Sequence, residues 1–574
     1  MSAGTEEWFK NEVHLWRCLN FVKYLLILHE IFLPLAVIVL HFSFWHPFAG
    51  VFDWLASFLS FQRLCYHLVL IVVTLLLGVH HLVFFEVSPE VHSTRLGQLW
   101  HSINPQKLIR IIAYGILGGI AVRFFLGLTS GLFGELVVPC ATNGDARCLN
   151  KAHFFLVLHG IFTAVAFYVT WLAQGRCYMP FPVIQQTKFV NVRFNIGHVL
   201  WKAAIDSLKT FYIFYVLYYI FGSTPRDWIV KNLGLHASRN GSDLRTLAGL
   251  FDLNLFWAVW WSGTVLRFTC ELAVTLRNIC LTERLQFPVE ATFKDQQVQQ
   301  LINILRCKNN LLLQYLGYLD FRCLAEHSPR RRAQIFSVSS PGGHPLHWKA
   351  FSGECLALMR EFTKSLVTAS QQPQATIPAK APPATQPSLQ DQAVRLRKLA
   401  PQWGTPYAAG AGFPGSPSST KPEAPSQSMF TMLVEKVKKQ PLVAYFVTDL
   451  PEARSKRLFA KCQPLIWAVE GFCLLIRASY KEDKFGVVQI TLSDALTALL
   501  ELEQALDRHN KGSFGIRRAP GIVPSRDVQL RKALGSAVIS GIYQIVTTFG
   551  NNLRSIALSE EHRRRLAQFV EFHK

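Results

Sequence analysis

The sequence predicts an all-α fold: a polytopic membrane protein with six transmembrane helices, followed by a cytoplasmic α-helical domain that a disordered linker interrupts. Three observations carry this. Uncharged apolar runs recur between Tyr24 and Leu276, and a helix needs about 20 such residues to cross a hydrocarbon core. Apolar residues make up 50% of the 574-residue chain and the mean hydropathy is +0.22, high for a soluble protein of this size. Residues 371–428 hold eleven of the 28 prolines and too few large apolar side chains to bury a core.

The first span is read near Leu25–Phe44; it carries His29 and Glu30 close to its start, where they would sit at the interface, and Pro34, which favours a kink. The second, Leu64–Phe85, has 22 residues without Asp, Glu, Lys or Arg. The third lies near Leu108–Leu128 and the fourth near His153–Gln174, within the uncharged run Ala152–Gly175. The fifth and sixth lie near Leu200–Phe221 and Leu250–Leu272. The chain thus divides into a membrane domain (1–281), a helical region beside the membrane (282–370), the linker (371–428) and a C-terminal helical partner-binding domain (429–574).

Charge is uneven. The net +22 divides as 20 Lys+Arg against 13 Asp+Glu in residues 1–270, and 39 against 24 in the remainder. A basic tail suits anionic headgroups, acidic protein surfaces or nucleic acid; the plainest reading is a solvated cytosolic domain beside a negative leaflet. Arg563, Arg564 and Arg565 have little aromatic interleaving to stack bases, so no direct nucleic-acid contact is expected. Met1–Lys23 holds Glu6, Glu7 and Glu12 and no short apolar core, so no cleavable leader is expected and the first span would serve as signal anchor.

Basic residues are retained on the cytoplasmic side of membranes, and the tail's charge favours both termini there. The last outer loop, with Arg226, Lys231, Arg239 and Arg245, breaks that rule. Two features in the outer loops agree with the orientation. Cys140 and Cys148 lie eight apart between the third and fourth spans, where an oxidising lumen would allow a disulfide. Asn240 opens a glycosylation acceptor between the fifth and sixth.

Ionisable groups inside spans are costly and mark either structural ion pairs or a transport path. Such positions are Arg110 and Arg123 in the third span, Lys202, Asp206 and Lys209 in the fifth, and Asp252, Arg267 and Glu271 in the sixth. The candidate ion pairs draw on Arg123, Lys202, Asp206, Arg267 and Glu271, where Lys202 with Asp206, and Arg267 with Glu271, stand four apart and can pair along one helix face. Structural pairing, at helix ends or between helices, is the plainer role, and no matched broken-helix pattern supports a transporter. Phosphate-loop, nucleophile-elbow and zinc-protease motifs are missing. The twelve cysteines form no pair with zinc spacing. No enzyme activity, cofactor or metal is expected.

In the tail, Val298, Leu301, Ile302 and Leu305 recur with helical period. Helical segments follow near Glu452–Lys461, Pro464–Ser479, Thr491–Arg508, Val528–Phe549 and Asn551–Phe572. Met429–Lys439 is amphipathic and suits either a membrane surface or the first helix of the last domain.

Several blocks then carry a resemblance. Val137–Cys140, Met179–Pro182 with Ile184, Gln185 and Gln186, Pro341–Pro345 with Trp348, Glu482–Gln489, Thr547–Gly550, and Arg565, Leu566 and Phe569 resemble, in order, the nuclear-division-cycle transmembrane nucleoporin family. The resemblance implies a six-span anchor of the nuclear pore complex in the nuclear envelope, with both termini on the cytoplasmic or pore side. Its implied partners are other nucleoporins, including Aladin, inner-ring nucleoporins and other membrane nucleoporins. The linker departs from the family in being short. Phe-Gly dipeptides begin at Phe133, Phe221, Phe485, Phe514 and Phe549, none in the linker, which favours a scaffold. The alternative is a solute or ion transporter of an internal membrane using Arg123, Lys202 and Asp206, with a membrane-embedded acyl or glycosyl transferase third.

Overall fold

The computed structural model describes residues 2–41, 60–102, 104–129, 133–139, 147–182, 184–234, 236–237, 252–291, 293–338, 343–371, 445–447, 451–513 and 526–571. Cys140, Asn240, Met429–Lys439 and all but the first residue of the 371–428 linker lie outside them.

Six long helices make the first half: α1 (Leu15–His41), α2 (Phe61–Val83), α3 (Pro105–Leu128), α4 (Lys151–Ala173), α5 (Lys188–Phe221) and α6 (Leu253–Leu281). Their starts follow local chemistry. Asn104, Asn150 and Asp252 each accept a backbone N–H of the first turn, replacing bonds that a helix start cannot make internally. Pro105 after Asn104 loses no donor the helix needs. α1 runs continuously through Pro34. It begins ten residues before the expected span, and Glu30, in the helix interior, meets His67 of α2 at 3.0 Å.

Among the described residues, four helical stretches are long and apolar enough to cross a membrane: Ala3–Leu40, Phe61–Val83, Arg95–Leu128 and Lys151–Ala173. α5 and α6, about 51 and 43 Å long at 1.5 Å per residue, have the length but less apolarity. α5 carries Lys202, Asp206 and Lys209, and α6 carries Arg267, Glu271, Arg277 and three tryptophans. α5 lies along the outside of the bundle against α6, with Trp201, Tyr212 and Val216 exposed, whereas α6 is at its centre: nineteen of its residues are buried, facing α1, α2, α3, α4 and α5.

α3 and α4 pack closely because small residues let the backbones approach, as membrane helices require when lipid removes the hydrophobic drive. A side-chain carbon on Gly160 would come within 2.9 Å of Val122 Cβ and 3.0 Å of the Gly118 carbonyl oxygen.

The fold is not purely helical. Val137–Pro139 (β1) pairs antiparallel with Arg147–Leu149 (β2), and β2 pairs parallel with His236–Ala237 (β3). The β-branched Val137 and Val138 favour extended backbone, and pairing across two loops turns them into a small sheet at the far end of the bundle.

The tail is built from α7 (Leu311–His327), α8 (Leu346–Gln371), α9 (Gln463–Glu482), α10 (Gln489–Ser513), α11 (Arg526–Phe549) and α12 (Glu560–Val570). The segment expected as Asn551–Phe572 is divided, with a 3-10 turn over Gly550–Ser555 before α12. Ala453–Ala460 and α9, bent by 52°, together also have a span's length and composition. Their apolar character is that of a buried helix: Leu465, Trp467, Ala468, Phe472, Leu475 and Ile476 are all buried, among α7, α8 and α11. Residues from 282–370 and 429–574 share one apolar core, so the two regions separated in sequence are one packed body.

Candidate functional site at the joint of bundle and tail

The core of the tail does not stop at residue 282. Phe9, Val87, Met179 and Leu281 from the membrane half are buried within it. The polar lead-in forms a helix over Ser2–Trp8 and a π-helical turn over Phe9–His14, and Thr5 Oγ1 donates to the Val298 carbonyl at 3.0 Å.

Three side chains clamp the end of α6. Arg17 on α1 donates to the carbonyls of Leu281 (2.7 Å) and Glu283 (2.6 Å). A helix C-terminus leaves such carbonyls without internal partners and carries partial negative charge, so a guanidinium there satisfies both needs. Gln185 donates to the Thr282 carbonyl at 2.6 Å and accepts from the Arg284 N–H at 2.7 Å. Lys188 meets Glu283 at 2.8 Å. The loops before α3 and α5 are joined by backbone bonds, Glu86 N to Cys177 O at 3.1 Å and Met179 N to Glu86 O at 3.0 Å. Phe181 lies against Tyr315 and Trp467 with centroids 5.2 and 6.0 Å away.

Beyond the clamp, Asp320 of α7 is fully buried. It accepts from Arg331 at 3.0 and 2.6 Å and from the Phe287 N–H at 3.1 Å, fixing the strand-like 282–291 stretch on the tail. Arg332 forks onto Glu482 at 2.9 and 2.6 Å, and this hydrogen bonding raises the guanidinium's pKa further. Trp348 donates to Thr491 at 2.8 Å, Asp483 accepts from the Phe485 and Val488 N–H groups, and Gly486 holds φ +67°, where a side chain would be strained. Leu566 and Phe569 are buried, and Arg565 meets Glu503 at 2.7 Å. The blocks that carry the family resemblance in the tail are therefore packing and capping elements. Burial pushes the Cys462 and Cys473 thiols up to about 12, which keeps them protonated and inert.

Four of the charged groups singled out inside the spans, Lys202, Asp206, Arg267 and Glu271, come together between α5 and α6, with different partners from those expected along one helix. Glu271 is paired across helices, with Arg176 through two hydrogen bonds and with Lys202 at 3.2 Å. Asp206 meets Lys209 at 3.3 Å and Arg267 at 3.6 Å. The expected pairs along one helix, Lys202 with Asp206 and Arg267 with Glu271, give way to this antiparallel register because α5 and α6 present all four side chains to each other. Arg123 stands apart; it is exposed, 5.9 Å from the Phe124 ring, with no ion pair among the described residues. Cys148 is disulfide-bonded, while Cys140, its expected partner, and Asn240 lie outside the described residues. Sequence reasoning missed Arg176, Arg17 and Gln185. Of these only Gln185 stood in a recognisable motif; the other two depend on contacts 95 and 264 residues away.

The family model described as Nucleoporin protein Ndc1-Nup matches residues 12–567. A Danio rerio protein, Nucleoporin NDC1, is 30% identical over 98% of this chain and 98% of its own length. The Homo sapiens Nucleoporin NDC1 is 29% identical, covering 97% of each. Nucleoporin ndc-1 of Caenorhabditis elegans is 26% identical over 52% of this chain and 49% of its own length. With the family match running almost from end to end and vertebrate relatives aligned over both the bundle and the tail, this chain belongs to the Ndc1-Nup nucleoporin family.

Proposed function

We propose that this chain is a non-enzymatic transmembrane nucleoporin that anchors the nuclear pore complex in the nuclear envelope and supports pore assembly and insertion by recruiting other nucleoporins through its tail. The observation that carries the reading is the shared core of bundle and tail: a load applied to the tail passes into the membrane helices through packed side chains. Many copies in one ring would multiply weak tail contacts into firm attachment. In this reading α5 and α6 also cross the bilayer, giving six crossings with both termini on the cytoplasmic or pore side. A Cys140–Cys148 disulfide and a modified Asn240 would lie in the lumen. Aladin, inner-ring nucleoporins and other membrane nucleoporins are the partners the family suggests.

A transport role draws less support. Asp206 and Glu271 are engaged by cations, and a cavity lined by His29, Thr74, Phe125 and Ser262 has about 30 Å³, room for about two waters. The test is localisation of the full chain. Fluorescence confined to puncta that coincide with pore markers at the nuclear rim is expected; an even signal through the endoplasmic reticulum would overturn the reading.

A further inference from the structure

The stretch between α2 and α3 holds a constellation that the anchoring role does not use. Glu90, His92 and His101 bring one ligand atom each to within 4.8 Å of the others. The sequence spacing, one residue and then eight, has no metal-site signature, and local folding explains the meeting. The chain reverses at Ser93–Thr94, where Thr94 Oγ1 accepts the Gly97 N–H at 3.0 Å and opens a helix over Arg95–Ser102. A side-chain carbon on Gly97 would touch His92 Cβ at 3.4 Å, so His92 lies over the face that Gly97 leaves bare. His101, four residues on, shares that face, and the two imidazoles stand 4.5 Å apart. His92 Nε2 is shielded from solvent and has no hydrogen-bond partner among the described residues. A buried polar atom without a partner calls for an explanation, a bound ion among them.

We propose that Glu90, His92 and His101 bind a divalent transition metal, zinc by ligand chemistry. Two imidazoles and one carboxylate are a borderline donor set that suits zinc and disfavours calcium or magnesium, which take oxygen. Tetrahedral ligands about 2.0–2.1 Å from zinc lie about 3.4 Å apart, so side-chain rotation of little more than 1 Å (about one bond length) closes the site on the ion. Water would fill the fourth position. The site's location gives it a consequence. Arg457 of the tail donates to the Val91 carbonyl at 3.3 Å, and Arg95 donates to the Tyr445 carbonyl at 2.9 Å and covers its ring at 4.0 Å. Residues between and beside the ligands thus carry two further contacts with the tail, so an occupied site stiffens them.

The test titrates tag-free full-length chain in nanodiscs with Zn²⁺ against a chromophoric chelator, with Co²⁺ as the spectroscopic stand-in. One equivalent is expected to bind. His92→Ala and His101→Ala should each weaken binding by more than the roughly 10–100-fold that loss of an outer-shell partner costs, whereas His327→Ala and His344→Ala should leave it unchanged. Zn²⁺ should also slow tryptic cleavage after Arg95 about tenfold, through the same stiffening. Wild-type chain that takes up no Zn²⁺, or a triple Glu90→Gln, His92→Ala, His101→Ala variant that retains the affinity, overturns the assignment; the first arm depends on no variant's folding.

Discussion

Replacing Asp320 by Ala tests the joint most sharply. Asp320 is 0% exposed and Arg331 16% exposed, and the carboxylate accepts three hydrogen bonds of 2.6–3.1 Å. Removing it leaves the Phe287 N–H without its acceptor and the Arg331 guanidinium with only the Phe287 carbonyl. Breaking a buried pair from one side costs about 3–5 kcal/mol; Arg331 retains some access to water, which puts the expected cost near ~3 kcal/mol. For a body stable by on the order of 5–15 kcal/mol, that is a large share. At about 1.4 kcal/mol per tenfold, the opened population rises about 100-fold. Native-state proteolysis of the full chain in nanodiscs reads this as faster chymotryptic cleavage at Phe287, with cleavage at sites inside α1–α4 unchanged. A double Asp320→Ala, Arg331→Met variant should recover about 1 kcal/mol or more, since it removes the stranded charge. Asp320→Ala within about 0.5 kcal/mol of wild type, or a double variant no better than the single, would show that this pair does not hold the 282–291 stretch on the tail.

Glu271→Gln should lower the detergent melting temperature by an amount equivalent to about 1–3 kcal/mol, because Arg176 and Lys202 lose their shared carboxylate; Lys202→Met should cost less, since Arg176 remains. Gly160→Val should cost about 1–3 kcal/mol through overpacking against Val122 and Gly118 in the same melt, whereas Gly197→Val, with open space around it, should leave the melting temperature nearly unchanged. Burial, then Arg531, lowers the pKa of His509 from 6.5. The unfolded chain therefore takes up this proton first as pH falls, so His509's contribution is whole above pH 6.5 and is lost below it, down to the depressed folded value. His509→Gln should flatten that part of the stability-versus-pH curve.

Much of the bundle was legible because hydrocarbon imposes one strong rule. Uncharged runs located α2 and α4 to within a few residues, whereas Asp252, read as lying inside the sixth span, caps the start of α6. The rule was silent where helices outrun the apolar window: α5 begins at Lys188 and α6 ends at Leu281, α6 because its last turns are buried in protein. Ion pairing among the charged residues of α5 and α6 was legible but its partners were not, because spacing of four identifies neighbours on one helix and is silent about a facing helix. Lys202 with Glu271 and Asp206 with Arg267 follow from the antiparallel packing of α5 on α6. The single tail core was hidden for a related reason, since α8 and α10 pack across a linker that carries no pairing signal. The three short strands lie below any length that alternation can identify. Glu90, His92 and His101 were invisible because a turn and a bare glycine face, not spacing, bring them together.

Whether the tail packed on the membrane bundle is the docking surface for other nucleoporins is read by quantitative lysine crosslinking with affinity capture of the full chain from gently solubilised nuclear envelopes. Lysines of residues 282–574 should crosslink to other nucleoporins, enriched over those of an unrelated multi-span protein of the same membrane. Tail lysines that crosslink to no nucleoporin above that control would contradict this docking role.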